Sequence, residues 1–265
     1  MEVLGFDIQG KFAHFRKFHG NNTALSYSIP PRTTIIGMLA TIMGEKKDSY
    51  YEKYRSENLR IGIRVLADLK KGFHRLNLLK IVGREDFSGR HGRIQTPFEV
   101  LTGLDLRKDS VAYRIYLAPG EDGELYQILK NRLLTGERQF NLSLGIAGFA
   151  AGITGVTLFE TTPIQANHDW VDIDSACNSE QVSEIEFPDH PEIKFNHIEE
   201  ELLPADFIGG NKGREVHRMN RVLFTTRPFP MHVKLAGSYF PITREDGATE
   251  NIQFLDYAGI LPQQK

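Results

Sequence analysis

Residues 10–44 read GKFAHFRKFHGNNTALSYSIPPRTTIIGMLATIMG, and this stretch decides how the rest of the chain is organised. In its second half Ile35, Ile36, Met38, Leu39, Ile42 and Met43 recur at helical spacing, which predicts one apolar stripe on a helix. Pro30-Pro31 marks the start, where a missing N–H costs nothing, and Gly44 marks the stop. Its first half is a loop that interleaves Phe12, Phe15 and Phe18 with Lys11, His14, Arg16, Lys17 and His19. Unstacked RNA bases need flat rings and phosphates need cations, so this loop is a candidate RNA contact. The competing reading makes the three phenylalanines one face of a short buried helix.

Upstream, Leu4, Phe6 and Ile8 alternate with polar or small residues, the period of a half-buried strand. Downstream, 50–57 reads as a short helix and 59–67 as a second strand, with Arg60 and Arg64 on its other face. The β-like runs 73–82 and 94–101 flank GREDFSGRHGR (83–93), a glycine- and arginine-rich tip that predicts a long projecting hairpin. A strand at 111–117, a helix at 121–134 and a strand at 154–162 complete a β-α-β-(hairpin)-β-α-β order. The expected class is therefore α+β: a ferredoxin-like (RRM-like) domain over 1–162 with a hairpin at about 73–101. A smaller β-rich region over 163–265 follows, acidic and loop-rich at first, with strands at 219–226 and 231–240.

The 265 residues are 40% hydrophobic and 25% charged, the mix of a chain with a buried core. Cys177 is the only cysteine, which excludes a disulfide framework and fits a reducing, cytoplasmic compartment. MEVLGFDIQG lacks the build of a secretory leader. The longest weakly apolar run, 144–156, falls short of the ~20 residues a membrane helix needs, so no membrane association is expected.

A net charge of −2 hides strong segregation. Residues 11–44 carry four Lys/Arg and no acid, 70–93 carry seven against two acids, and 207–234 carry six against one. Residues 165–206 carry twelve acids against Lys194 alone, which suits a protein partner or solvent and would repel RNA. Fields fade over ~8–10 Å, so local rather than global charge governs phosphate binding.

Two glycine-rich stretches could admit an anion close to the backbone. GIAGFAAGITG (145–155) offers Gly145 and Gly148; GGNKGREVHR (209–218) offers Lys212 and Arg214. Neither has dinucleotide or P-loop spacing, and tight packing of small residues is the alternative for the first. Metal sites are not expected: there is no thiolate set and no paired histidines, and DWVDID (169–174) lacks the rest of a calcium loop. Metal-independent RNA cleavage would need a base, an acid and a cation; Tyr27, His14, His19, His74 and His91 lie in basic surroundings.

The string F-A-H-F-R (12–16), then S-Y-S-I-P-P-R-T-T-I-I-G-M-L-A-T-I-M-G (26–44), resembles the N-terminal signature of the CRISPR-associated Cas five (Cas5) family of the RAMP superfamily, most like its type I-B branch. The resemblance implies that the hairpin is a thumb. It also implies a Cascade subunit that caps the 5′ end of the CRISPR guide RNA, holds its 5′ handle, and touches the large subunit and a backbone subunit. Target DNA would be met only through the complex, with no cofactor. Lys11, His14, Arg16, Lys17, Tyr27 and Arg32 would grip the handle, together with His74, Arg75, Arg84, Arg90 and Arg93 on the hairpin. One family branch, from type I-C systems, is itself an endoribonuclease that uses a tyrosine and a Lys-His pair. Tyr27 stands where that tyrosine would be and His74 is the alternative partner, but the chain contains no Lys-His dipeptide.

Overall fold

The computed structural model describes residues 1–18, 23–79, 81, 83–90, 92–121, 123–187, 197–210 and 213–255. The first part holds β1 (Glu2–Gly10), α1 (Arg32–Met43), β2 (Leu59–Val65), β3 (Lys70–Leu79), β4 (Arg93–Thr102), β5 (Val111–Pro119), α2 (Gly123–Thr135) and β6 (Ala150–Glu160). Then come β7 (Asp169–Ile173), β8 (Val182–Glu186), β9 (Ile198–Gly210), β10 (Gly213–Thr225), β11 (Met231–Leu235), β12 (Ser238–Thr243) and β13 (Thr249–Ile252). The fold is strand-rich with two α-helices among the described residues.

The main sheet is antiparallel in the order β2-β5-β1-β6, with the two-residue strand Leu142–Ser143 at the β6 edge, so each strand–helix–strand unit is split by a strand of the other. Leu4, Phe6 and Ile8 of β1 pack in one core with Ile35, Leu39 and Ile42 of α1 and with Leu125 and Leu129 of α2. Each such side chain, fully buried, contributes about 1.5–3 kcal/mol. α1 ends as its sequence dictates: Gly44 takes φ +76°, which returns its N–H to the carbonyls of Ala40 and Thr41.

The other face of the sheet is covered. Val3, Tyr116 and Ala118 pack against Phe240, Ile242 and Ile252 of the chain's last described strands and against Phe254 just after them. Beside them lies an ion network in which Arg114 binds Asp7 at 2.7 Å and Glu250 at 3.4 Å, while Arg64 binds Asp174 at 3.3 Å. An RRM stacks bases on the open face of its sheet; here that face is already taken. The main core also includes Leu203, Val222, Phe224 and Leu255, so it crosses the boundary expected at 162.

β3 and β4 pair in register from Lys70↔Thr102 to Leu79↔Arg93, with a short 3₁₀ turn over Arg84–Ser88 between them. The root of this hairpin is tied to the basic-aromatic loop. Ala13 and Leu101 exchange backbone hydrogen bonds at 3.0 and 2.9 Å, and Ala24 N–H donates to the Pro97 carbonyl at 3.0 Å.

Several expectations need correction. The phenylalanine loop is not a helix: Phe15–Arg16 pairs as a two-residue strand with Ser26–Tyr27, burying Phe15 and leaving Phe12 and Phe18 exposed. Residues 50–57 form turns, not a helix. The acidic passage contains β9, a thirteen-residue strand paired with β10, so residues 209–210 and 213–218 of GGNKGREVHR are paired strand and not a free loop. GIAGFAAGITG is a turn leading into β6, neither helix nor open cradle.

Candidate nucleic-acid interface

α1 begins bare. Pro31 offers no side-chain cap, and the first turn holds no acid. No cap or acid of the helix's own first turn offsets the positive end of its dipole, a setting that favours anions.

A groove of about 480 Å³ opens beside this helix end. Thr33 and Thr34 line it from the helix, Arg16 and Phe18 from the basic-aromatic loop, and Phe207 and Arg214 from the distal end of the β9–β10 hairpin. Arg16 is exposed and makes no ion pair among the described residues. The Arg214 guanidinium lies over the Phe207 ring at 5.0 Å. Gly145 also lines the groove, for a packing reason: a Cβ there would meet the His14 carbonyl at 1.8 Å, and its φ is +94°. Three residues expected from sequence, Arg16, Gly145 and Arg214, are thus brought together from across the chain.

Others are placed elsewhere. Arg32 is buried: Nη1 binds Asp206 at 2.6 Å, and Nη2 donates to the carbonyls of Tyr54 and Leu59, both at 2.8 Å. It braces the fold and cannot grip RNA, which corrects its assignment. His14 is also buried, with Nδ1 2.7 Å from the Glu99 carbonyl and its ring stacked on Phe98 at 4.0 Å, so it anchors the hairpin root instead. Burial holds the His14 imidazolium below its usual range. Lys17 is spent on Glu201 at 2.6 Å, and Lys11 donates to the Asp109 carbonyl at 2.9 Å from an exposed position.

Tyr27 lies inside, beneath Lys17, with its hydroxyl pushed up to about 12 by burial and by Glu201. A phenol so placed neither reaches solvent nor serves as a base near neutral pH, which corrects its candidacy both as an RNA contact and as a catalyst. His74 is exposed on β3 opposite Phe98. Arg75, Arg84, Arg90 and Arg93 are exposed on the hairpin and make no ion pair among the described residues. Gly148 is exposed outside the groove lining. Lys212, His19 and His91 lie outside the described residues. Among the described residues no cluster of three His, Cys, Asp or Glu could hold a metal ion. No helix is long and apolar enough to cross a membrane among those residues.

Sequence reasoning missed Phe207, Thr33 and Thr34. The alternation of Leu203, Ala205 and Phe207 was the available signal for a strand, masked by three consecutive glutamates before it.

A family model described as CRISPR-associated protein (Cas_Cas5) matches residues 3–185. A crystal structure of a CRISPR protein from Archaeoglobus fulgidus is similar over 96% of this chain and 100% of its own, at 14% identity and a TM-score of 0.56. A chain described as a CRISPR RNA-guided surveillance complex covers 87% of this chain and 90% of its own, at 12% identity and a TM-score of 0.48. The first likeness shows a shared fold. No curated protein matches the chain.

Proposed function

This chain belongs to the CRISPR-associated Cas5 family, and on that premise we propose that it is an RNA-binding subunit of a type I Cascade complex, holding the 5′ handle of the guide RNA. The observation that carries the proposal is the groove, where the bare start of α1, the exposed Arg16 and the Phe207-backed Arg214 converge. A helix N-terminus and two cations suit phosphates, and exposed rings suit unstacked bases. The covered sheet face argues for binding at this groove over the RRM mode.

The β2-β5-β1-β6 order supports the ferredoxin-like reading of the first part. The β3–β4 hairpin suits the role of thumb because its faces differ. Leu76, Leu78 and Ile94 share one side with His74 and Thr96, while Arg75, Asn77, Gln95 and Arg93 share the other with Phe73 and Leu79. The Leu76–Ile94 side fits a backbone subunit, and the two arginines of the other side fit RNA. By the same reading the large subunit is a neighbour, target DNA is met through the complex, and the setting is the cytoplasm.

The test is equilibrium binding of single-stranded repeat RNA to the full chain across a salt series. Affinity should fall as salt rises, and Arg16→Ala should weaken binding and lower the log–log salt slope by about 0.7 for its lost phosphate contact. Unchanged affinity and slope in Arg16→Ala would remove RNA from this groove.

A further inference from the structure

We propose that the groove contains a seat for one unstacked nucleobase, formed by the outer face of the Arg214 guanidinium, an inference that rests on the RNA-binding reading above. Arg214 tops an aromatic ladder. Tyr50 meets Tyr54 at 5.9 Å and Tyr51 at 5.0 Å, Tyr51 meets Phe207 edge-on at 5.7 Å, and Phe207 lies under Arg214 at 5.0 Å. The lower rungs are anchored, since Tyr54 and Tyr51 are buried. Arg214 itself is exposed, so a ligand in the groove can reach it.

The chemistry favours a base over a phosphate at this point. A phosphate is best held by the in-plane N–H edges of a guanidinium, two at a time. Here the Arg214 guanidinium lies over the Phe207 ring at 5.0 Å, and the neighbouring Tyr51 hydroxyl donates to Asp48. Arg214 is thus a flat cation backed by a ring, whose free surface matches the π-face of a base. Because the ring holds the guanidinium in advance, little side-chain freedom is lost when the base arrives. The anion seat lies elsewhere in the groove, at Arg16 and the start of α1.

Asn141 and Ser143 line the same groove. They offer an amide and a hydroxyl, groups able to hydrogen-bond the edge of a stacked base and so prefer one base over others. The ladder supplies affinity that any base can use, and this pair supplies the choice.

An abasic walk tests the seat. Single-stranded repeat RNAs, each lacking one base, are titrated against the wild-type full chain and against Arg214→Lys, which keeps the charge and loses the plane. One position should stand out in the wild type, with a loss of roughly tenfold or more on removing its base. That loss should shrink to near nothing in Arg214→Lys and in Phe207→Leu, while thermal unfolding confirms that both variants are folded. RNA that binds tightly with no position coupled to Arg214 overturns the seat and leaves the RNA-binding function standing. A chain that binds none of these RNAs overturns both.

Discussion

Arg32 and Asp206 meet at 2.6 Å with side chains only 1% and 5% exposed. Asp206 also accepts from Ser56 at 2.6 Å and lies 3.4 Å from Arg218, so a single carboxylate ties the start of α1 to both strands of the β9–β10 hairpin. Removing one partner of a buried pair strands the other's charge. Asp206→Ala should cost about 3–5 kcal/mol, measured as a lower midpoint in urea at unchanged slope. Arg16→Ala, in contrast, should leave the midpoint where it is. His14 brings a pH dependence. Burial is the main cause that holds it below 6.5, aided by the Arg16 charge and opposed by Glu99. As pH falls below 6.5 the unfolded chain takes up this proton first, so His14 stabilises at neutral pH and that contribution is lost on acidification. Melting temperature should drop toward acid, and His14→Gln should flatten the part of the slope that this residue supplies.

At the level of elements, local patterns were readable and long-range pairings were not. β1, α1, α2 and the β3–β4 hairpin each carry their own period, so their positions follow from neighbouring residues alone. β9 does not. Glu199, Glu200 and Glu201 hide its alternation, and the partners that make those charges tolerable lie far away: Lys17 with Glu201, Lys71 at 3.7 Å from Glu199, Arg221 at 3.9 Å from Glu200. The groove was half legible for the same reason. Arg16 and Arg214 declare themselves by charge, but Phe207 enters only once β9 is seen as a strand. Gly145 belongs at this scale too, since its turn passes the His14 backbone and so steadies the loop at the hairpin root. Gly145→Ala should destabilise the chain by more than the ~1 kcal/mol of a tolerated glycine change. It should also speed hydrogen exchange at Leu101, whose N–H bonds the Ala13 carbonyl at 2.9 Å. Wild-type exchange at Leu101 in that variant would separate the turn from the hairpin.

Across the whole molecule, charge segregation is largely an internal matter. Acids that sequence alone assigns to solvent or a protein partner are, in β9, the counter-charges of Lys17, Lys71, Arg32 and Arg218. Folding therefore subtracts from each basic segment the cations that hold the structure and leaves, among the described residues, a set for a ligand that includes Arg16 and Arg214 at the groove and Arg75, Arg84, Arg90 and Arg93 on the hairpin. Among the described residues Asp169, Asp172, Glu184 and Glu186 gather on the β7-β11-β8 sheet, where Asp172 and Glu186 flank His232 and Trp170 stacks on its ring at 5.0 Å. One surface is thus left cationic and ring-lined, another acidic. The most direct test is photo-crosslinking of thiouridine-substituted repeat RNA to the full chain, mapped by mass spectrometry. Crosslinks are predicted at Phe18, Tyr50 and Phe207 in the groove and along the β3–β4 hairpin. Crosslinks confined to the face around Trp170 and His232, with none in the groove, would contradict the account.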